Sequence, residues 1–182
     1  MSKTSEQYDK AIDKCRIIFA LKVKDYGTSW RVMRLKSLTD QLFIKANRIR
    51  NIEENDVQMI DEGIEPEFIA LVNYSLIAMI QIELQNEEPR ELDVEYTLSL
   101  YDKYVKQTKA LMMNKNHDYG EAWRDMRINS FTDLILMKLN RVKQIEDNQG
   151  ETLISEGIDS HYSDILNYSV FALIKIDEES NE

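Results

Sequence analysis

The segment DYGTSWRVMRLKSLTDQLFIKANRIRNIEE, Asp25 to Glu54, returns as DYGEAWRDMRINSFTDLILMKLNRVKQIED, Asp118 to Asp147, at an offset of 93 residues. Of these 30 positions, 15 are identical. After a one-residue insertion the register resumes at offset 94, where EGI at 62–64 meets EGI at 156–158 and NYS at 73–75 meets NYS at 167–169. Two copies, each about half the chain, cannot stack as a solenoid, which needs several short units to bury a continuous core. The repeat instead predicts a duplicated helical module folded as an internal pseudo-dimer. Apolar core positions tolerate similar residues, so Asp, Arg, Trp and Asn held identical in both copies ask for a stricter physical reason.

The chain has only 5 Gly and 2 Pro in 182 residues, and its apolar residues recur at helical spacing without strand-like alternation. An all-α fold follows, with three main helices per copy. The first helices are expected at about Ser5–Lys24 and Val94–His117, ending at Gly27 and Gly120. Ser37-Leu-Thr-Asp40 and Ser130-Phe-Thr-Asp133 resemble helix starts for the second pair, which run to about Asn55 and Asn148. The third pair, Glu65–Glu83 and Asp159–Asp177, is apolar nearly all round and belongs at the centre of a bundle. These elements divide the chain into a first repeat at 1–83, a linker at 84–93 containing Pro89, and a second repeat at 94–182.

The start, MSKTSEQYDK, lacks an apolar signal stretch, and the longest apolar run, Phe68–Ile82, is interrupted by Asn73, Ser75 and Gln81. A cytoplasmic protein without a membrane partner is therefore expected. Cys15 is the single cysteine and belongs to the packing. The net charge of −10 repels long nucleic acid, so nucleic acid is a disfavoured partner. Locally the balance reverses. Between Arg31 and Arg50 six basic residues face only Asp40, and Arg124–Lys143 carries five bases against two acids. Such a patch suits a small phosphorylated ligand, and equally a solvated helix face balanced by neighbouring acids.

At 100° per residue Ile135, Leu136, Leu139 and Val142 share one side of the second-copy helix, while Asp133, Lys138, Asn140 and Arg141 share the other. The first-copy equivalents Asp40, Lys45, Asn47 and Arg48 are identical to that polar set. Together with Arg31, Arg34, Arg124 and Arg127 they form the expected phosphate-binding group, since guanidinium matches phosphate geometry and Lys adds a point charge. Tyr26, Trp30, Tyr119 and Trp123 are placed either to stack on a base or to anchor helix packing. On the last helix Glu156, Ser160, Asp164 and Asn167 fall on a narrow arc. Asp164 enters an apolar helix and needs a partner, either Mg²⁺ shared with Glu156 and Asn167 or a salt bridge to Lys138 or Arg141. Only the second copy has this acid, because Asp164 aligns with Ala70, His161 with Glu67 and His117 with Lys24.

The series DYGxxWRxMR, SxTD, KxNR, EGI and NYS resembles the family called nucleotide modification associated domain 1 in both copies. More distantly, KNHDYG at 115–120 with EGIDSHYSDILNYSVFALI at 156–174 resembles phage-type MazG-like nucleoside triphosphate pyrophosphohydrolases. That resemblance implies a MazG-like all-α bundle and Mg²⁺-dependent cleavage of a nucleoside triphosphate to monophosphate and pyrophosphate. By position Glu156 and Asp164 match the acids that hold the metal and carry catalysis, and Asn167 the amide. Ser160 stands where an acid is often found, and Asp133, Lys138 and Arg141 stand where such enzymes carry an ExxE. The expectation is a nucleotide-binding protein, a candidate Mg²⁺-dependent pyrophosphohydrolase, with Trp123, Tyr119 and the basic residues as ligand contacts. A non-catalytic helical binding or assembly protein, including one that self-associates, is the alternative.

Overall fold

The computed structural model describes residues 2–55, 63–85, 89–151 and 157–180. Among them lie six α-helices: α1 (Lys3–Tyr26), α2 (Leu35–Glu54), α3 (Glu65–Leu84), α4 (Val94–Tyr119), α5 (Ile128–Asp147) and α6 (Ile158–Glu179). Short 3₁₀ turns at Ser29–Val32 and Ala122–Asp125 join α1 to α2 and α4 to α5. The described residues contain no strand.

Local chemistry fixes the helix ends. Ser2 accepts from the Ser5 amide at the start of α1, and Asp93 accepts from the Tyr96 amide at 3.0 Å at the start of α4. Each thereby satisfies an amide that lacks an intrahelical partner. Gly27 and Gly120 leave the first helices with φ of +62° and +59°. At Gly27 a Cβ would also run into the Glu91 carboxylate, which accepts from the Thr28 amide. The second helices start earlier than the SxTD motifs suggest. Arg34 and Arg127 hold the extended N-cap conformation, and Ser37 and Ser130 already lie in the first turn.

α3 and α6 pack on one another at the centre, α2 covers α3, and α5 covers α6. α2 and α5 also meet directly, while α1 and α4 flank the central pair and each other. One large apolar cluster runs through both copies, from Tyr8, Leu42 and Phe68 to Tyr101, Leu139 and Val170, and a smaller one gathers Ile80, Leu84, Leu92 and Leu100. By length and composition α3 could cross a membrane, yet 78% of its apolar window is buried inside the fold. It is the kind of helix that a bundle centre requires.

Polar contacts across the seam come in matched pairs related by the repeat. Tyr101 donates to Asn73 Oδ1 at 3.0 Å, and Tyr8 donates to Asn167 Oδ1 at 2.9 Å. Each of those asparagines also donates, to the carbonyls of Cys15 and Thr108 respectively, which are themselves equivalent. Arg16 grips Asp102 at 2.7 and 2.8 Å, and Lys109 grips Asp9 at 2.6 and 2.7 Å. Thr39 donates to Glu146 and Thr132 to Glu53, both at 2.8 Å. Lys10 pairs with Asp177 and Lys103 with Glu83. This two-way matching is what an isologous interface between like units produces, here within one chain.

Candidate functional site

On α5 the residues Leu139, Val142, Ile135 and Phe131 are buried, so helical geometry turns Asp133, Lys138, Asn140 and Arg141 toward the rim. These four residues line an open cavity of about 580 Å³ together with Arg50 from α2 and His161 from α6. The repeated aspartates here are seam residues. Asp133 binds Arg50, and its counterpart Asp40 binds Lys143 at 3.2 Å, again as a matched pair.

The two copies part company at the neighbouring basic residues. In the first copy the buried Glu67 carboxylate binds Arg48 and lies 3.3 Å from Lys45, so both expected ligand cations are held by the protein's own acid. In the second copy His161 occupies the position of Glu67. Arg141, the counterpart of Arg48, is exposed and makes no hydrogen bond or ion pair with the described residues.

The acid of the second copy has moved one helical turn along, to Asp164. Its Oδ1 accepts from Lys115 Nζ at 2.7 Å and its Oδ2 from Lys138 Nζ at 2.8 Å, with only 6% of the residue exposed. Burial pushes this carboxyl up, and hydrogen bonds from the two lysines more than reverse the effect, leaving it below the usual carboxylate range. Lys138 was expected as a salt-bridge alternative to metal binding. Lys115 had no signal in the periodicity.

Mg²⁺ requires oxygen donors and near-octahedral space. With an ammonium on each oxygen of Asp164, and the Asn167 amide bonded to Tyr8 and Thr108, the described residues do not fit that ion. Glu156, the second expected metal and catalytic acid, lies outside the described residues. Among the described residues no three His, Cys, Asp or Glu side chains converge as a metal-holding group.

Several expected ligand residues are engaged in packing the fold. Arg124 donates to Glu121, Thr4, Gln7 and Glu178, and its guanidinium lies 4.4 Å from the Trp123 ring. Its counterpart Arg31 is buried against Gln81, whose amide in turn donates to the Arg31 and Met33 carbonyls. Trp123 is buried and stacks on Phe171. Arg34 lines a different cleft beside Lys36, while Arg127 and Tyr119 are exposed. The structure thus brings Lys138 and Arg141 to one pocket, whose lining includes none of the other expected ligand residues. His161 and Arg50 complete that pocket. The exchange of Glu67 for His161 was visible in the repeat alignment, but its consequence needed the neighbouring geometry.

The family described as nucleotide modification associated domain 1 matches residues 22–82 and again 115–176. The chain belongs to this family. Both family domains span the turn and the second and third helices, so the Glu67 cluster and the His161 pocket are the same region of the domain in its two copies. No curated protein and no solved structure matches the chain.

Proposed function

We propose that the second nucleotide modification associated domain binds a nucleotide or another small phosphorylated metabolite at the α5–α6 pocket. Arg141 supplies the fork of donors, Asn140 lies beside it, and Lys138, paired with Asp164, lines the wall. The observation that carries this reading is the exchange at one repeat position: Glu67 pairs with Lys45 and Arg48, whereas His161 stands beside an Arg141 that has no carboxylate partner among the described residues and borders an open cavity. Pairing Asp164 with two lysines supports binding over metal-assisted hydrolysis, because a metal would have to displace both ammonium groups.

Titration calorimetry with nucleoside triphosphates and with inorganic pyrophosphate, each with and without Mg²⁺, tests the reading. Saturable binding is expected, and Arg141→Ala should weaken it about tenfold, equivalent to roughly 1.4 kcal/mol. Undiminished affinity in Arg141→Ala, or no binding of any phosphorylated compound, would overturn it.

One observation favours assembly as a second reading. Ile44 and Met137 are exposed and occupy the same repeat position on α2 and α5. Sedimentation that shows a monomer at all concentrations would remove that reading.

A further inference from the structure

The first copy contains a second cavity, of about 570 Å³, between the C-terminal half of α1, the Ser29–Val32 turn and the N-terminal half of α3. Tyr26, Trp30 and Tyr74 supply aromatic walls, Ile77 lies in the apolar lining, and Lys22 contributes a cation. A volume of this size falls within the range of small-molecule sites, roughly 300–1,000 Å³.

The same framework in the second copy is filled by different side chains. Phe171 stands at the position of Ile77, and Trp123 lies flat on it with ring centroids 4.3 Å apart and planes 6° from parallel. Asp164 stands at the position of Ala70 and holds Lys115, the counterpart of Lys22. Pro66 and Ile69 of the open cavity correspond to Ser160 and Ser163. Two consequences follow for the first copy. Trp30 is only partly buried and has no ring stacked on it among the described residues. Lys22 is exposed and has no carboxylate partner among the described residues. In addition, the indole N–H of Trp30 is buried without a hydrogen-bond acceptor among the described residues. The Trp123 indole N–H also lacks one, but its ring is sealed by Phe171, whereas Trp30 borders open space.

We infer that this first-copy cavity binds a planar aromatic molecule carrying an anionic group. A flat ring takes the place beside Trp30 that Phe171 fills beside Trp123, and the anion takes the place near Lys22 that Asp164 fills near Lys115. The second copy is in this sense a self-liganded version of the first. Asn73 contributes shape and not recognition, since both ends of its amide are already bonded to Cys15 and Tyr101. The site is independent of the α5–α6 pocket and shares no lining residue with it.

The test uses the full chain and anilinonaphthalene sulfonate, an anion carrying a flat naphthalene ring, well below the melting temperature. Saturable binding of one probe per chain is expected, with energy transfer from tryptophan. Ile77→Phe copies the second-copy plug and should weaken binding at least tenfold while holding or raising the melting temperature. Lys22→Glu, at an exposed position, should weaken binding severalfold without touching the fold, and Lys22→Arg should retain it. Displacement of the probe by adenosine monophosphate would assign the natural ligand to the nucleotides, and displacement by naphthoate alone to other aromatic acids. Arg141→Ala should leave probe binding unchanged, which separates this site from the anion pocket. The inference is overturned if the native chain shows no saturable binding, or if Lys22→Glu binds as tightly as the native chain. It is overturned equally by undiminished affinity in a folded Ile77→Phe variant.

Discussion

Glu67 and His161 occupy the same position of the repeat, and that exchange leaves Arg141 without the carboxylate that its counterpart Arg48 holds. A duplicated chain can use one copy of a motif for stability and release the other for recognition. Here the divergence is a single buried charge on α3 that α6 has shifted by one turn.

Restoring the acid should close the pocket. In His161→Glu the new carboxylate stands where Glu67 stands and pairs with Arg141 as Glu67 pairs with Arg48. Calorimetry with pyrophosphate or a nucleoside triphosphate is expected to show a loss of at least tenfold in affinity, with little change in melting temperature. Retained affinity would mean that Arg141 is not the anion contact.

Asp164→Asn separates the binding reading from the hydrolytic one. Removing the charge releases Lys138 and Lys115, which are partly exposed and can turn toward water, so the stability cost should be only about 1–2 kcal/mol, less than for a fully buried pair. Lys138 then becomes available to the pocket, and affinity for a phosphorylated ligand should rise. Loss of an Mg²⁺-dependent turnover in the same variant would instead assign the carboxylate to a metal. The pH dependence has a definite sign. The folded-state carboxyl titrates below its unfolded value of about 4, so its contribution is present above that pH and disappears as pH falls through the folded value. Acid melts of Asp164→Asn should therefore be flatter than those of the native chain.

The helices were legible because apolar spacing, glycine stops and the internal repeat all agree. The pairing of the copies was legible in outline, since α3 and α6 are too apolar to remain solvated. What the spacing does not reveal is which polar residue meets which. Asp40 and Asp133 share a helix face with Lys45 and Lys138, and only the seam shows that they pair with Lys143 and Arg50 from the other copy. Asn167 looked like a ligand amide because a polar residue in an apolar helix needs a partner. That partner is Tyr8, 159 residues away in sequence. The first-copy cavity was hidden for a different reason. Trp30 and Trp123 are identical in sequence, and their surroundings differ through the exchange of Ile77 for Phe171 on a separate helix.

The tyrosine–asparagine pairs should govern stability at the seam. Tyr8→Phe strands the buried Asn167 Oδ1, and Tyr101→Phe strands Asn73 Oδ1, each at a cost of about 1–3 kcal/mol. Burial also raises both phenols well above their ordinary range. A raised folded value means that stability is intact below the unfolded tyrosine value of about 10 and is lost as pH climbs past it, where the unfolded chain ionises first. Melting temperatures from pH 8 to 11 should fall steeply in the native chain and less steeply in either variant. An equal alkaline slope in all three proteins would show that these hydroxyls do not report on the seam.

The two copies should not fold apart. Residues 1–83 alone would lose the packing of α3 on α6, on a helix whose Phe68, Leu76 and Ile80 are fully buried in the whole chain. They would also strand Asn73 without Tyr101 and Asp9 without Lys109. Residues 94–182 suffer the matching losses at α6, Asn167 and Asp102. Exposed apolar surface of this extent drives association, not a stable monomer. Each half expressed alone is expected to be aggregated or to melt without cooperativity. Equimolar mixing should restore helical circular dichroism and a single cooperative transition, because the seam is encoded by complementary side chains and not by the linker between Leu84 and Val94. A monomeric half with its own sharp melt would show that each copy is an independent domain, and the matched contacts across the seam would then be secondary to folding.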